Sequence, residues 1–143
     1  MNNFILLRRT IILMSFFILI GCAVTTADET EKMLTLGSAM TKLSAAVEST
    51  VRYKNPPADI SDANLLVLAT KHDPALLEPF SAYTVRVRQQ ELHAIILVCT
   101  KDGTRALLED AGCTGKLDRH LWENQPAIPC EFTLIAREAC VTN

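Results

Sequence analysis

The five cysteines have the widest chemical range of any residues in this 143-residue chain. Cys99, Cys113, Cys130 and Cys140 crowd into the last third, and Cys22 stands apart. Thiols at such positions can be nucleophiles, metal ligands or disulfide partners. A zinc site would add His120 to three of the four, but no C-x-x-C is present and the gaps are long and irregular beside known zinc spacings. A catalytic thiol would be consumed in an oxidising compartment. An even number of cysteines in an exported domain reads as two disulfides. Three pairings are possible. Cys113 and Cys130 bracket an irregular, Pro-containing segment that needs a staple, which favours Cys113–Cys130 with Cys99–Cys140. Each bridge would add about 2–4 kcal/mol, a large share of the stability of so small a domain.

Other groups offer less. Asp118-Arg119-His120, with Trp122 and Glu123 beside it, could present a histidine oriented by a carboxylate. A disulfide-framed loop with solvated charges and an inward Trp122 explains the same residues. Glu109-Asp110 could be a carboxylate pair, but neighbours in a strand alternate faces, so a solvated edge is expected. Arg86 and Arg88 share one strand face, where exposed charge guards against edge pairing. His93 sits in an apolar run and reads as a core or hairpin residue. No G-x-S-x-G, H-E-x-x-H, Gly-rich phosphate loop or EF-hand loop occurs, and five glycines leave little for a phosphate cradle. The expectation is a non-enzymatic protein without metal or cofactor.

The N-terminus carries an address. Arg8-Arg9 precedes an apolar run, Thr10 to Ile20, followed by Gly21-Cys22. A positive region, an apolar stretch of about eleven residues and a small residue at the end make an export signal. The run is short for a membrane span, which takes about 20 residues. Leu19-Ile20-Gly21-Cys22 resembles the lipobox of bacterial lipoprotein precursors, a likeness confined to residues 1–22. It implies acylation of the Cys22 thiol, cleavage before it, and a membrane anchor of two or more chains. Ala23, in place of an aspartate that would retain a Gram-negative lipoprotein in the inner membrane, favours the outer membrane. The resulting organisation is a signal peptide over 1–21, a lipidated polar tether over 22–28 and a single domain over 29–143.

Met33, Leu36, Met40, Leu43, Val47 and Val51 follow a 3-4-3-4-4 spacing and predict a helix from Glu29 to about Tyr53 with one apolar stripe. Asn55-Pro56-Pro57 ends it. That stripe is expected to cover the domain's own sheet, with a coiled-coil or partner helix as the alternative. Ser61 can cap a second helix from Asp62 to about His72, and Asp73-Pro74 starts a short third that stops near Pro79. The period then becomes two: Tyr83, Val85 and Val87 face one way, Thr84, Arg86 and Arg88 the other. Leu92 to Thr100 reads as a central strand paired with it in a hairpin. After the Asp102-Gly103 turn, residues 104–111 read as a strand despite some helical propensity. Residues 112–129 read as irregular, with one helical turn over 117–122, and Glu131 to Ala136 as the last strand. The class is α+β: N-terminal helices packed on a three- to four-stranded antiparallel sheet with two disulfides.

Charge narrows function. Setting aside Arg8 and Arg9 leaves 12 basic residues of the 14 against 16 acidic, a net of −4. Nucleic-acid binding needs a concentrated basic surface, so the partners expected are a membrane, through lipid on Cys22, and a protein of the cell envelope. Three roles remain, in order of preference: an accessory component of a secretion, conjugation or pilus-type assembly, a periplasmic binding or inhibitor domain of immunity type, and a hydrolase too small to show a standard motif.

Overall fold

The computed structural model describes residues 23–141; the signal peptide expected over 1–21 and the expected lipidation site Cys22 lie outside the described residues. The chain divides into two compact units, Met1–Thr35 and Leu36–Asn143. In the first, the described residues belong to the long helix α1 (Ala23–Lys54), which begins upstream of the expected Glu29 and takes in most of the polar tether. In the second, α1 continues with Leu36, Met40, Leu43, Val47 and Val51 all buried. Arg52 and Lys54 in its last turn favour the negative end of the helix. Asn55 adopts φ 46° and returns its N–H to the Val51 carbonyl, closing the helix before Pro56.

Helix α2 (Asp62–Ala69) is capped by Ser61, whose hydroxyl accepts from the Asn64 N–H, and it buries Leu65 and Leu66. The short third helix expected after Asp73 follows as a 3-10 helix, Pro74–Phe80. Then come β1 (Thr84–Gln90), β2 (His93–Cys99), β3 (Ala106–Ala111) and the two-residue β4 (Arg119–His120), a meander in sequence order. Every pair is antiparallel. The hairpin between β1 and β2 turns through Glu91 at φ 57°, and the next connection turns through Gly103 at φ 71°, where a residue without Cβ is favoured.

Registers assign the faces, because directly opposed residues share one. Val85, Val87, Ile96, Val98, Leu108 and Asp110 fall on one face. That face carries α1, since Asp110 meets Ser44 of the helix. Arg86, Arg88, Ile95, Leu97 and Glu109 fall on the other. It carries the C-terminal segment: Leu97 and Cys99 pack with Leu121, Cys130 and Phe132, and Ile95 packs with Ala111, Ala136 and Cys140. Strand β2 is therefore covered on both sides, and its residues 94–99 are all buried. That double burial is why its sequence is apolar throughout rather than alternating.

Two expectations fail at the end of the chain. Residues 131–135 are not a strand, and α3 (Ala136–Val141) occupies the place of the expected strand's end. The cause is Glu109. Its carboxylate accepts from the Thr133 N–H at 2.7 Å and the Leu134 N–H at 3.0 Å, so these amides go to a side chain and not to a ladder. Likewise Ala136 N–H goes to Gln90 Oε1 at 2.7 Å, and the Cys130 carbonyl takes Arg86 Nη1 at 2.9 Å. The helical turn expected over 117–122 is replaced by β4 and a 3-10 turn, Leu121–Glu123.

Candidate functional site

Both disulfides form, with a pairing that corrects the expected one. Cys99 joins Cys130, and Cys113 joins Cys140. The reason is the face rule. Cys99 lies at the end of β2 on the face that the 128–132 segment crosses, held there by the Ala106 N–H to Ile128 carbonyl bond at 2.8 Å. Cys113 lies two residues past the end of β3, where Ala111 packs on Ala136 and carries α3 with Cys140. The two bridges differ in setting. Cys99–Cys130 is buried among Leu97, Ala106 and Leu121. Cys113 and Cys140 are half-buried.

Beside the second bridge stands an ionisable trio. Glu48, 6% exposed, projects from α1 toward the start of β2. Its Oε2 accepts the Ala94 N–H at 2.7 Å, and its Oε1 lies 2.7 Å from His93 Nδ1 and 3.3 Å from Arg52 Nη2. A ring nitrogen of His93 and the Sγ atoms of Cys113 and Cys140 all fall within 4.8 Å of one another. His93 is the hairpin residue expected, pairing with Gln90 at the closed end of β1 and β2, and it also carries these polar contacts. It sits where the helix layer and the C-terminal layer meet at one end of the sheet.

Glu109 and Asp110 form no solvated edge: both are fully buried, one on each face of β3. Glu109 is an acceptor saturated by the 133–134 backbone and by the Thr133 hydroxyl, which Arg119 Nη1 also reaches at 2.9 Å. Asp110 bonds to the Ser44 hydroxyl and accepts the Asp118 N–H at 3.1 Å. Burial pushes its carboxyl up to about 7, against the Ser44 hydrogen bond, with the nearby Asp118 charge adding to the rise. Sequence reasoning missed both roles because a carboxylate pair on adjacent strand positions looks the same whether its faces are wet or covered.

Asp118, Arg119 and His120 are all exposed. Asp118 is spent locally: its Oδ2 accepts from the Ala111 N–H at 2.8 Å and the Thr114 hydroxyl at 3.1 Å. The triplet therefore gives no carboxylate-oriented histidine. Trp122 is half-buried as expected, and its carbonyl is taken by the Arg105 guanidinium. Arg86 and Arg88 are exposed and stack over Phe132, with guanidinium carbons 5.4 and 4.3 Å from the ring centre. There they hold the C-terminal segment, a second duty beyond edge protection.

An open cleft of about 820 Å³ lies between the 114–119 loop and the 134–139 segment. Lys116, Arg119 and Glu138 give it charge of both signs, and Leu134 and Ile135 give it an apolar floor. Ile135 is 49% exposed, one of the few large apolar side chains so open. Among the described residues, no helix is long and apolar enough to cross a membrane. Comparison with protein-family models, with curated proteins and with solved structures gives no match.

Proposed function

We propose that this protein is an extracytoplasmic lipoprotein, anchored through lipid on Cys22, which serves as a non-enzymatic accessory component of an envelope assembly of secretion, conjugation or pilus type. The observation that carries the reading is the complete pairing of the four cysteines of the body into two disulfides. Such pairing belongs to an oxidising compartment, and a lipobox at Leu19-Ile20-Gly21-Cys22 is the route by which a chain reaches that compartment and stays on a membrane. The outer membrane is the favoured location. The docking surface for a protein partner is the cleft with Ile135 on its floor and Lys116 and Arg119 on its rim, an apolar centre with a charged border.

The test joins address and contact. Cys22→Ser should abolish lipid labelling and leave an unprocessed precursor. A photo-crosslinking residue placed at Ile135 in intact cells should give one discrete adduct, and the same probe at Val67 on α2 should give none. The Cys22→Ser chain should lose that adduct. Normal cleavage and membrane retention of Cys22→Ser would remove the lipoprotein reading, and adducts from Val67 but not Ile135 would remove the cleft.

A further inference from the structure

We propose that His93, Cys113 and Cys140 form a redox-gated metal site, closed while the two sulfurs are bonded to each other and able to take Zn²⁺ once a dithiol reductant has opened them. The three ligand atoms come from three parts of the chain: the start of β2, the residue after β3's loop begins, and α3. They already lie within 4.8 Å of one another. A tetrahedral zinc ion, with bonds of about 2.3 Å to sulfur and about 2.0 Å to nitrogen, spaces its ligand atoms by about 3.5–4 Å. The sulfurs need only separate from bonding distance to reach that spacing, while α3 keeps its place on Ile95 and Ala111 through Ala136.

The surroundings separate this bridge from the other. Cys99–Cys130 lies among apolar side chains, whereas Cys113–Cys140 is half-open to solvent and faces a histidine. That histidine is itself oriented: Glu48 Oε1 holds Nδ1 at 2.7 Å while Glu48 Oε2 is fixed by the Ala94 N–H. A carboxylate behind one ring nitrogen fixes the ring's orientation, the arrangement found behind ligating histidines in zinc sites. Two thiolates and a neutral imidazole are a borderline-to-soft donor set, suited to zinc and poorly suited to magnesium or calcium.

The chemistry balances. A dithiol gives two electrons and two protons, the Cys113–Cys140 bond breaks to two thiols, and the dithiol becomes a disulfide. Zn²⁺ then displaces both thiol protons to solvent, two Zn–S bonds form, and His93 contributes a lone pair. The two thiolate charges cancel the ion's charge. Metal would thereby replace the covalent link in tying α3 to the end of β3.

The experiment uses the full-length chain carrying Cys22→Ser, purified in detergent, so that the body cysteines are the only thiols. Graded treatment with a dithiol, followed by alkylation and mass mapping, should open Cys113–Cys140 while Cys99–Cys130 stays closed. Zn²⁺ is then titrated against a chromophoric chelator. The reduced chain should bind one equivalent, the oxidised chain none, and reduced His93→Gln should bind at least about ten-fold more weakly. Should that variant fail to fold, Cd²⁺ added to the reduced, ring-labelled chain must shift a His93 nitrogen resonance. No uptake by the reduced chain, equal uptake by the oxidised chain or by His93→Gln, or an unmoved His93 resonance overturns the proposal. So does a bridge that opens only when the whole domain unfolds.

Discussion

Asp110→Asn should make this domain more stable in neutral and mildly alkaline solution and leave it nearly unchanged in acid. The side chain is fully buried beneath α1, and burial is the main reason its carboxyl titrates near 7 instead of at 3.8. The geometry suits the neutral form. Ser44 Oγ lies 3.2 Å from the Thr41 carbonyl, so its single hydrogen can go there while it accepts one from a protonated Asp110. The other carboxyl oxygen accepts the Asp118 N–H at 3.1 Å. An asparagine reproduces that pattern, donating through its amide nitrogen and accepting through its oxygen. A folded-state value raised above the unfolded one makes stability fall as pH rises, because the unfolded chain releases its proton first. The loss begins near 3.8, where the unfolded carboxyl ionises, and is complete above about 7, where the folded one does. A span of that width is worth at most about 4 kcal/mol, and the Asp118 charge nearby means that part of it is shared. Urea unfolding of wild type and variant at a series of pH values, with the disulfides intact, measures the difference free of the other titrating groups. The two should agree within about 1 kcal/mol near pH 4, and the variant should lead by about 2–4 kcal/mol near pH 8. A difference that does not change with pH would refute the reasoning, and so would a variant that loses stability fastest at high pH.

Leu43 is fully buried on α1, so Leu43→Ala should lower unfolding stability by about 2–4 kcal/mol. An unchanged melting temperature would mean that the helix stripe is not part of the core. At Gly112 an added Cβ would sit 2.2 Å from the Ser44 carbonyl oxygen and 2.5 Å from Glu48 Cβ, so Gly112→Ala must push helix from sheet. A loss of about 3 kcal/mol or more is expected, read as a drop in melting temperature or failure to fold. Glu109→Ala removes the acceptor of the Thr133 and Leu134 amides, and leaving those groups unpaired should cost about 1–3 kcal/mol each where they stay buried. Hydrogen exchange should quicken at residues 133 and 134 before it does in β2; protection unchanged there would show that another group holds the segment.

The elements up to residue 111 were legible because their signals are local. The 3-4-3-4-4 apolar spacing made α1 readable, Ser61 marked a helix start, and the alternation of residues 83–88 beside the apolar run of 92–100 made a hairpin. Even the ambiguous 104–111 stretch follows from position, since a chain leaving the Asp102-Gly103 turn beside a central strand finds a ladder waiting. The upstream end of α1 was not legible, because residues 23–28 carry no apolar stripe to phase them.

The C-terminal third was opaque for a different reason: its backbone is satisfied by side chains from far away in sequence. Glu131 to Ala136 alternates well enough to be a strand, and in isolation nothing tells against it. What decides its form is a carboxylate 24 residues earlier, at Glu109, whose Oε1 takes the Thr133 and Leu134 amides that a neighbouring strand would otherwise take, while its Oε2 takes the Thr133 hydroxyl. Gln90 and Arg86 act in the same way on Ala136 and Cys130, from 46 and 44 residues away. Once this segment crosses the sheet face, Cys130 is delivered to Cys99 and Cys140 to Cys113, so the disulfide pairing follows from the same side chains and not from the spacing of the cysteines. The candidate sites inherit that dependence. Glu48, His93 and the Cys113–Cys140 bridge come from four separate stretches of chain, and only a sheet covered on both faces brings a helix carboxylate and a C-terminal cysteine to the same end of β2.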